Sequence, residues 1–235
     1  MTIDVAVELN SLRCIKEHDG SGHSEPYLWT AVIAGSDAGV DVQAPGVGAG
    51  ARVVVKSGMR AGDQVQVPSA QRRFSHRFPD GVSRPIIGLV VALLEKDELP
   101  GSAVNAGYRR FLKEVEAEVK RYGQTHNALP TDEDIKSIAA TIKKKVKTSV
   151  ENDLSFGEKA KVVVGLLDLD DTLAFAARFE SVDLLNSKRV VLEFKEETTV
   201  GGQPIEVSGS VVGHTPTTKV LRQHYELACT FTRAR

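Results

Sequence analysis

The chain has only two cysteines, Cys14 and Cys229, in 235 residues. That count excludes the disulfide framework of small secreted domains. Both cysteines fall on the apolar phase of strand-like segments, where a free thiol acts as a small hydrophobe, so reduced and buried thiols are expected. They could meet only if the first and last strands pair. Aromatic residues are also sparse, at 6%. They lie on strand or helix stripes, which points to core packing and not to base stacking. Neither sign of charge dominates: 30 basic and 31 acidic side chains leave a net charge of −1. No basic field for nucleic acid results.

Long hydrophobic runs are missing too. The longest, "PIIGLVVALL" at 85–94, is half the length that a bilayer-spanning helix needs. The opening "MTIDVAVEL" has no basic region leading into an apolar one, so no secretory signal is expected. The expected location is cytoplasmic, with signal-independent export left open. No G-x-S-x-G, H-E-x-x-H or glycine-rich lysine loop occurs. "GVGAG" at 46–50 leads into a β-branched run and not into a helix N-terminus, so it is no phosphate cradle.

What is present is a chain long enough to bury a core without staples, with 41% apolar and 26% charged residues. Ile3, Val5, Val7 and Leu9 alternate with polar neighbours, and the apolar phase then shifts to Leu12 and Cys14. That shift predicts a bulge near Asn10 and Ser11. Tyr27, Trp29, Ala31 and Ile33 predict a second strand, and 34–50 a long turn-rich loop. Further strands are expected at 51–56, 63–68 and 86–94, the last buried on both faces. The period then changes to 3.6. Val104, Tyr108, Phe111, Leu112, Val115, Val119 and Tyr122 mark one helix within 102–123. Ile135, Ile138, Ile142, Val146 and Val150 mark a second, opened by Thr131 with Asp134 in a capping-box-like pair. Alternation resumes at 160–169, 190–194, 205–211 and 225–231. The fold expected is mainly β, an antiparallel β-sandwich with an inserted α-helical hairpin. Its parts are 1–101 and 154–235 for the sandwich and 102–153 for the hairpin.

Three acidic stretches follow predicted strands: Asp19 and Glu25 in "HDGSGHSEPYLW", Glu95 and Asp97 in "LLEKDELPG", and Asp168, Asp170 and Asp171 in "LLDLDDTLA". The D-x-D spacing puts Asp168 and Asp170 on one side of an extended chain, able to share an ion. Calcium takes six to eight oxygens, commonly from carboxylates converging from loops at one end of a scaffold. The ordinary role of such acids is as solvated turn residues. Residues Asp19, Gly22, Ser24, Glu25, Pro26 and Tyr27 resemble the D-x-x-G-x-S-D-P-Y loop of the calcium-dependent lipid-binding β-sandwich of the protein kinase C "C-two" type. Glu25 stands where that family usually has Asp. The resemblance implies a non-enzymatic module that binds calcium through Asp19, Glu25, Asp168 and Asp170, with Glu95, Asp97 and Asp171 in reserve. It also implies docking on an anionic membrane or a protein partner.

Two other readings compete. "VVVGLLDLDDTLAF" is similar to the first motif of haloacid-dehalogenase-type phosphatases, with Asp168 as nucleophile and Asp170 as general acid. That family carries the motif on a parallel sheet with helical crossovers, which the downstream strand pattern does not supply. The other reading is a structural protein that forms homo-oligomers through its helical hairpin and sheet edges. The basic run Lys143, Lys144, Lys145 and Lys147 could touch anionic lipid or a partner, or could simply be a solvated helix face. His18 and His23 match no standard zinc spacing.

Overall fold

A computed structural model describes residues 2–17, 24–44, 53–95, 101–126, 128–153, 174–200, 204–207, 210–214 and 216–234. In chain order the elements are β1 (Ile3–Lys16), β2 (Pro26–Ser36), β3 (Gly39–Gln43), β4 (Gln64–Gln66), a one-turn helix α1 (Ser69–Arg72), β5 (Arg73–Phe78), β6 (Ile86–Glu95), helices α2 (Gly101–Thr125) and α3 (Asp132–Asp153), β7 (Ala174–Ser181), β8 (Ser187–Val200), β9 (Pro204–Val207), β10 (Ser210–His214) and β11 (Thr218–Ala234). The fold is mainly β. One sheet has the order β4-β1-β11-β8, with β5 also on β1; a second has the order β3-β2-β6-β7; β9 and β10 form a hairpin. Every pairing among the described strands is antiparallel.

The expected bulge is present, as a register shift between Leu9 and Ser11. It also divides one edge of β1 between two partners: β5 pairs with Ile3–Glu8 and β4 with Ser11–Arg13. Inward-facing Val5, Val7, Leu9, Leu12 and Cys14 are all buried. They meet Leu28, Val32, Ala34, Ile87, Leu89, Val91 and Leu93 of the second sheet in a shared apolar cluster.

Strand β2 is buried from Pro26 to Gly35, and β6 from Ile87 to Leu94. A strand whose two faces are both apolar needs cover on both sides. One side is the first sheet. On the other, Tyr27, Trp29, Ala31, Ile33, Val90, Ala92 and Leu94 pack against Val104, Tyr108, Phe111, Val115 and Val119 of α2 and Ile138, Ile142 and Val146 of α3. Trp29 stacks on Tyr108 with ring centroids 5.8 Å apart, and Tyr108 donates to the Thr30 carbonyl at 3.1 Å. Thr131 and Asp134 form the predicted reciprocal cap, with Thr131 N donating to Asp134 Oδ2 at 2.9 Å and Asp134 N to Thr131 Oγ1 at 3.2 Å.

Several expectations change. The stretch 34–50 is not all loop: Val40 and Val42 alternate with Asp41 and Gln43 in β3, an edge strand that turns back from β2 through Asp37 and Ala38. Of the strand expected at 51–56, residues 51–52 lie outside the described residues, and among 53–56 Val54 makes an isolated bridge to Tyr27; Met59 further on bridges Ser24. Strand β5 was hidden by its charge, since Arg73, Ser75 and Arg77 alternate with inward Phe74 and Phe78. The run 160–169 lies outside the described residues, and the strand that follows it is β7. First and last strands do pair, but Cys14 lies opposite Tyr225 and Cys229 opposite Leu9, so both thiols are free and buried.

Glycine packing yields a paired test. A Cβ on Gly107 would lie 2.6 Å from the buried Trp29 ring, whereas one on Gly123 would meet nothing within 4 Å. Gly107→Ala is expected to lose about 1–3 kcal/mol by overpacking, outweighing a helix-propensity gain of about 1 kcal/mol. Gly123→Ala should gain about 0.5–1 kcal/mol. Urea unfolding of both variants against the parent checks the opposite signs.

Candidate functional site at one end of the sheets

Register fixes which chain segments share an end. Pro26 pairs with Glu95, and Leu93 with Ala174. The chain therefore enters β2, leaves β6 and enters β7 at the same end of the second sheet. In the first sheet, Tyr225 lies opposite Cys14, and its hydroxyl reaches Ser24 Oγ at 2.6 Å. The last turn of β1 thus arrives at this end as well. The segments 17–25, 96–100 and 154–173, which carry the acids singled out above, all join the described strands here.

The base of this end is a polar tie between the sheets. Glu95 Oε1 accepts from the Ser24 hydroxyl and, at 3.5 Å, from the Tyr225 hydroxyl; Oε2 accepts from the Glu25 backbone N–H at 2.9 Å. Ser24 and Tyr225 are buried. Residues 53–63 close over the same end. Met59 N donates to the Ser24 carbonyl at 2.7 Å and Gly62 N to the Cys14 carbonyl at 2.8 Å. Asp63 holds that segment through Lys56 Nζ at 2.6 Å and Arg60 N at 2.9 Å. Those donors, Lys56 foremost, hold its carboxyl below the usual range.

Burial and nearby carboxylates both disfavour ionisation of the neutral groups at this end. Burial pushes the Cys14 thiol up to about 11; a hydrogen bond with Tyr225 pulls the other way, while the charges of Glu17, Asp63 and Glu95 raise it further. Burial likewise drives the Tyr225 phenol upward, with Glu95 adding to the effect. A new negative charge is therefore opposed here by several carboxylates at once.

Of the sequence-predicted ligands, Glu95 sits at the centre of the tie and Glu25 is half-buried beside it. Asp19, Asp97, Asp168, Asp170 and Asp171 lie outside the described residues. The D-x-D-x-T segment does too, and the described sheets around it contain no parallel pair. Among the lysines, Lys145 is engaged internally: its Nζ lies 2.6 Å from Glu118 and 3.3 Å from Glu114 of α2. Arg121 and Arg110 hold the same two acids at 2.8 and 2.7 Å. Lys144 is exposed, Lys143 half-buried, and the Lys147 side chain lies outside the described residues. Sequence reasoning missed Tyr225, because it meets Ser24 across 201 residues of chain, a separation that no local spacing encodes.

Compared with known proteins, the chain matches no protein-family model and no curated protein.

Two stability predictions follow from these contacts. Tyr225→Phe, which removes the hydroxyl between Ser24 and Glu95, should cost about 1–2 kcal/mol in a denaturant melt. Lys145→Ala should cost about 1–2 kcal/mol at neutral pH, a buried-pair loss discounted for the partial exposure of Lys145, whereas Lys144→Ala should be neutral. Burial raises the Glu118 carboxyl, but Lys145 and Arg121 together outweigh it, so the net shift is downward. A lowered carboxylate stabilises the fold above its ordinary pKa and ceases to do so as pH falls through the folded value. The difference between the parent and Lys145→Ala should therefore shrink on acidification below about pH 4.5.

Proposed function

We propose that the chain is a non-enzymatic binding module, an antiparallel β-sandwich with a helical hairpin inserted between two strands of one sheet. Its acidic end takes calcium and docks on an anionic membrane surface or a protein partner. The observation that carries this reading is the shared end: three acid-bearing segments join β1, β2, β6 and β7 where Glu17, Asp63 and Glu95 already disfavour further negative charge. Asp19, Glu25, Asp168 and Asp170 are the proposed ligands, with Asp97 and Asp171 in support. Glu95 serves as the floor of the site, because its oxygens accept hydrogen bonds from Ser24, Tyr225 and the Glu25 backbone.

Calcium would supply positive charge that matches several carboxylates at once, and its need for many oxygens suits segments arriving from three directions. The lysines sit in the second half of α3, whose chain leads on through 154–173 to the same end. Lys143 and Lys144 are the members of the run proposed to meet an anionic surface. Assembly through the helices has less support, since the apolar stripes of α2 and α3 are already covered by the second sheet.

A thermal melt of the full chain in chelator, calcium or magnesium tests this reading. An ion bound only to the folded state at a hundred times its dissociation constant adds roughly 2.7 kcal/mol, or roughly 5–10 °C for a chain of this size. A calcium-selective rise that disappears in the Asp168→Asn/Asp170→Asn double variant is expected. No rise with calcium overturns the reading, and a magnesium-selective rise favours the phosphatase-like one.

A further inference from the structure

The solvent-facing side of the first sheet carries a second constellation, separate from the acidic end. Glu226 of β11 and Glu193 of β8 lie directly opposite each other in the antiparallel ladder. His224 precedes Glu226 by two residues and so shares its face. One ligand atom from each of the three side chains falls within 4.8 Å of the other two. Two residues at i and i+2 on one strand, with a third across the ladder, present three donors to a single point above the sheet.

One group in this arrangement has no partner among its neighbours, and the two acids repel each other. First, His224 Nε2 is shielded from solvent and has no hydrogen-bond partner, although a buried imidazole nitrogen ordinarily finds one. Second, like charges directly opposite on neighbouring strands repel. The cations that offset this repulsion, Lys195 and Arg13, stand on side chains about half exposed to solvent. Lys195 Nζ lies 2.5 Å from Glu193, with both side chains about half exposed, and Arg13 is 3.9 Å from Glu226. Lys16, opposite His224 on β1, donates instead to the Leu221 carbonyl.

We propose that His224, Glu226 and Glu193 bind a divalent transition-metal ion, zinc being the best match, with water completing its coordination. One imidazole and two carboxylates form the mixed nitrogen and oxygen set that zinc accepts at tetrahedral sites. Calcium, which takes six to eight oxygens, is poorly served by three donors of which one is nitrogen. Lys195 now occupies the charge position that the ion takes over.

Isothermal titration of the chelator-treated full chain with zinc chloride tests the assignment. One zinc per chain is expected, with His224→Ala and Glu193→Gln each weakening binding at least tenfold and Lys195→Gln strengthening it several-fold. Millimolar calcium should not displace the zinc. Each variant is also melted in chelator, and Glu226→Gln replaces any that does not fold. Absence of zinc binding, or undiminished binding by folded His224→Ala, overturns the proposal. Any calcium-dependent melting rise should persist in His224→Ala, which keeps failure of this site distinct from failure of the acidic end.

Discussion

The second sheet is the element that everything else must accommodate. Strands β2 and β6 bury side chains on both faces over almost their whole length. Neither face can be left to water, because each offers a continuous row of aliphatic and aromatic groups. The first sheet covers one side and the two helices cover the other, giving three layers. Tight contacts record the fit. Gly88 leaves room for the Phe179 ring and Gly107 for Trp29, and in both places an added methyl group would overlap an aromatic ring. At Gly107 the covering helix approaches the sheet as closely as the chain allows, whereas Gly88 and Phe179 are cross-strand neighbours within the second sheet.

At the end where the acid-bearing segments enter, hydrophobic contact gives way to a polar closure. Tyr225 comes from the first sheet, Glu95 from the second, and Ser24 from the approach to β2. Each buried polar group finds a partner in the others, which removes the desolvation penalty that any one alone would suffer. The same carboxylate that completes the closure also adds, with Glu17 and Asp63, to the negative charge near Cys14. Packing and electrostatics therefore meet in one residue. The helices are braced differently, with Glu114 and Glu118 between two arginines and a lysine.

Much of this was legible in the sequence because burial leaves a period. The alternation of β1, its bulge, the doubly apolar β6, the stripes of both helices and the Thr131–Asp134 cap could each be read from neighbouring residues. The failures have a common physical origin. Strand β3 is short and lies at an edge, and β5 carries arginines on its outward face, so neither shows the composition that usually marks a strand. The run 51–56 has a strand's composition, yet its described part contributes only the bridge from Val54 to Tyr27. At the candidate site, Asp19 and Asp168 could be singled out as residue types. The neighbours that give the end its character, Tyr225 beside Ser24 and Glu95, depend on strand pairing between distant segments. The same holds for His224 and Glu193, which become neighbours only through the register of β8 with β11.

The pairing of β1 with β11 also governs how the fold can be reached. Asn10 donates to Thr230 across 220 residues of chain, and the whole length of β1 lies against the last described strand. Until β11 is available, β1 has only the short β4 and β5 beside it, and the inward faces of β2 and β6 lack most of their cover. Such long-range closure has a high entropic cost and is slow, with contacts of this separation forming after the local ones. During synthesis the helices and the β2–β6 pair can form early, but the core between the two sheets stays open to water until the ribosome has released residues 218–234. Over that interval the partly built sheet exposes apolar strands and unpaired edges, the condition in which nascent chains most need chaperone protection.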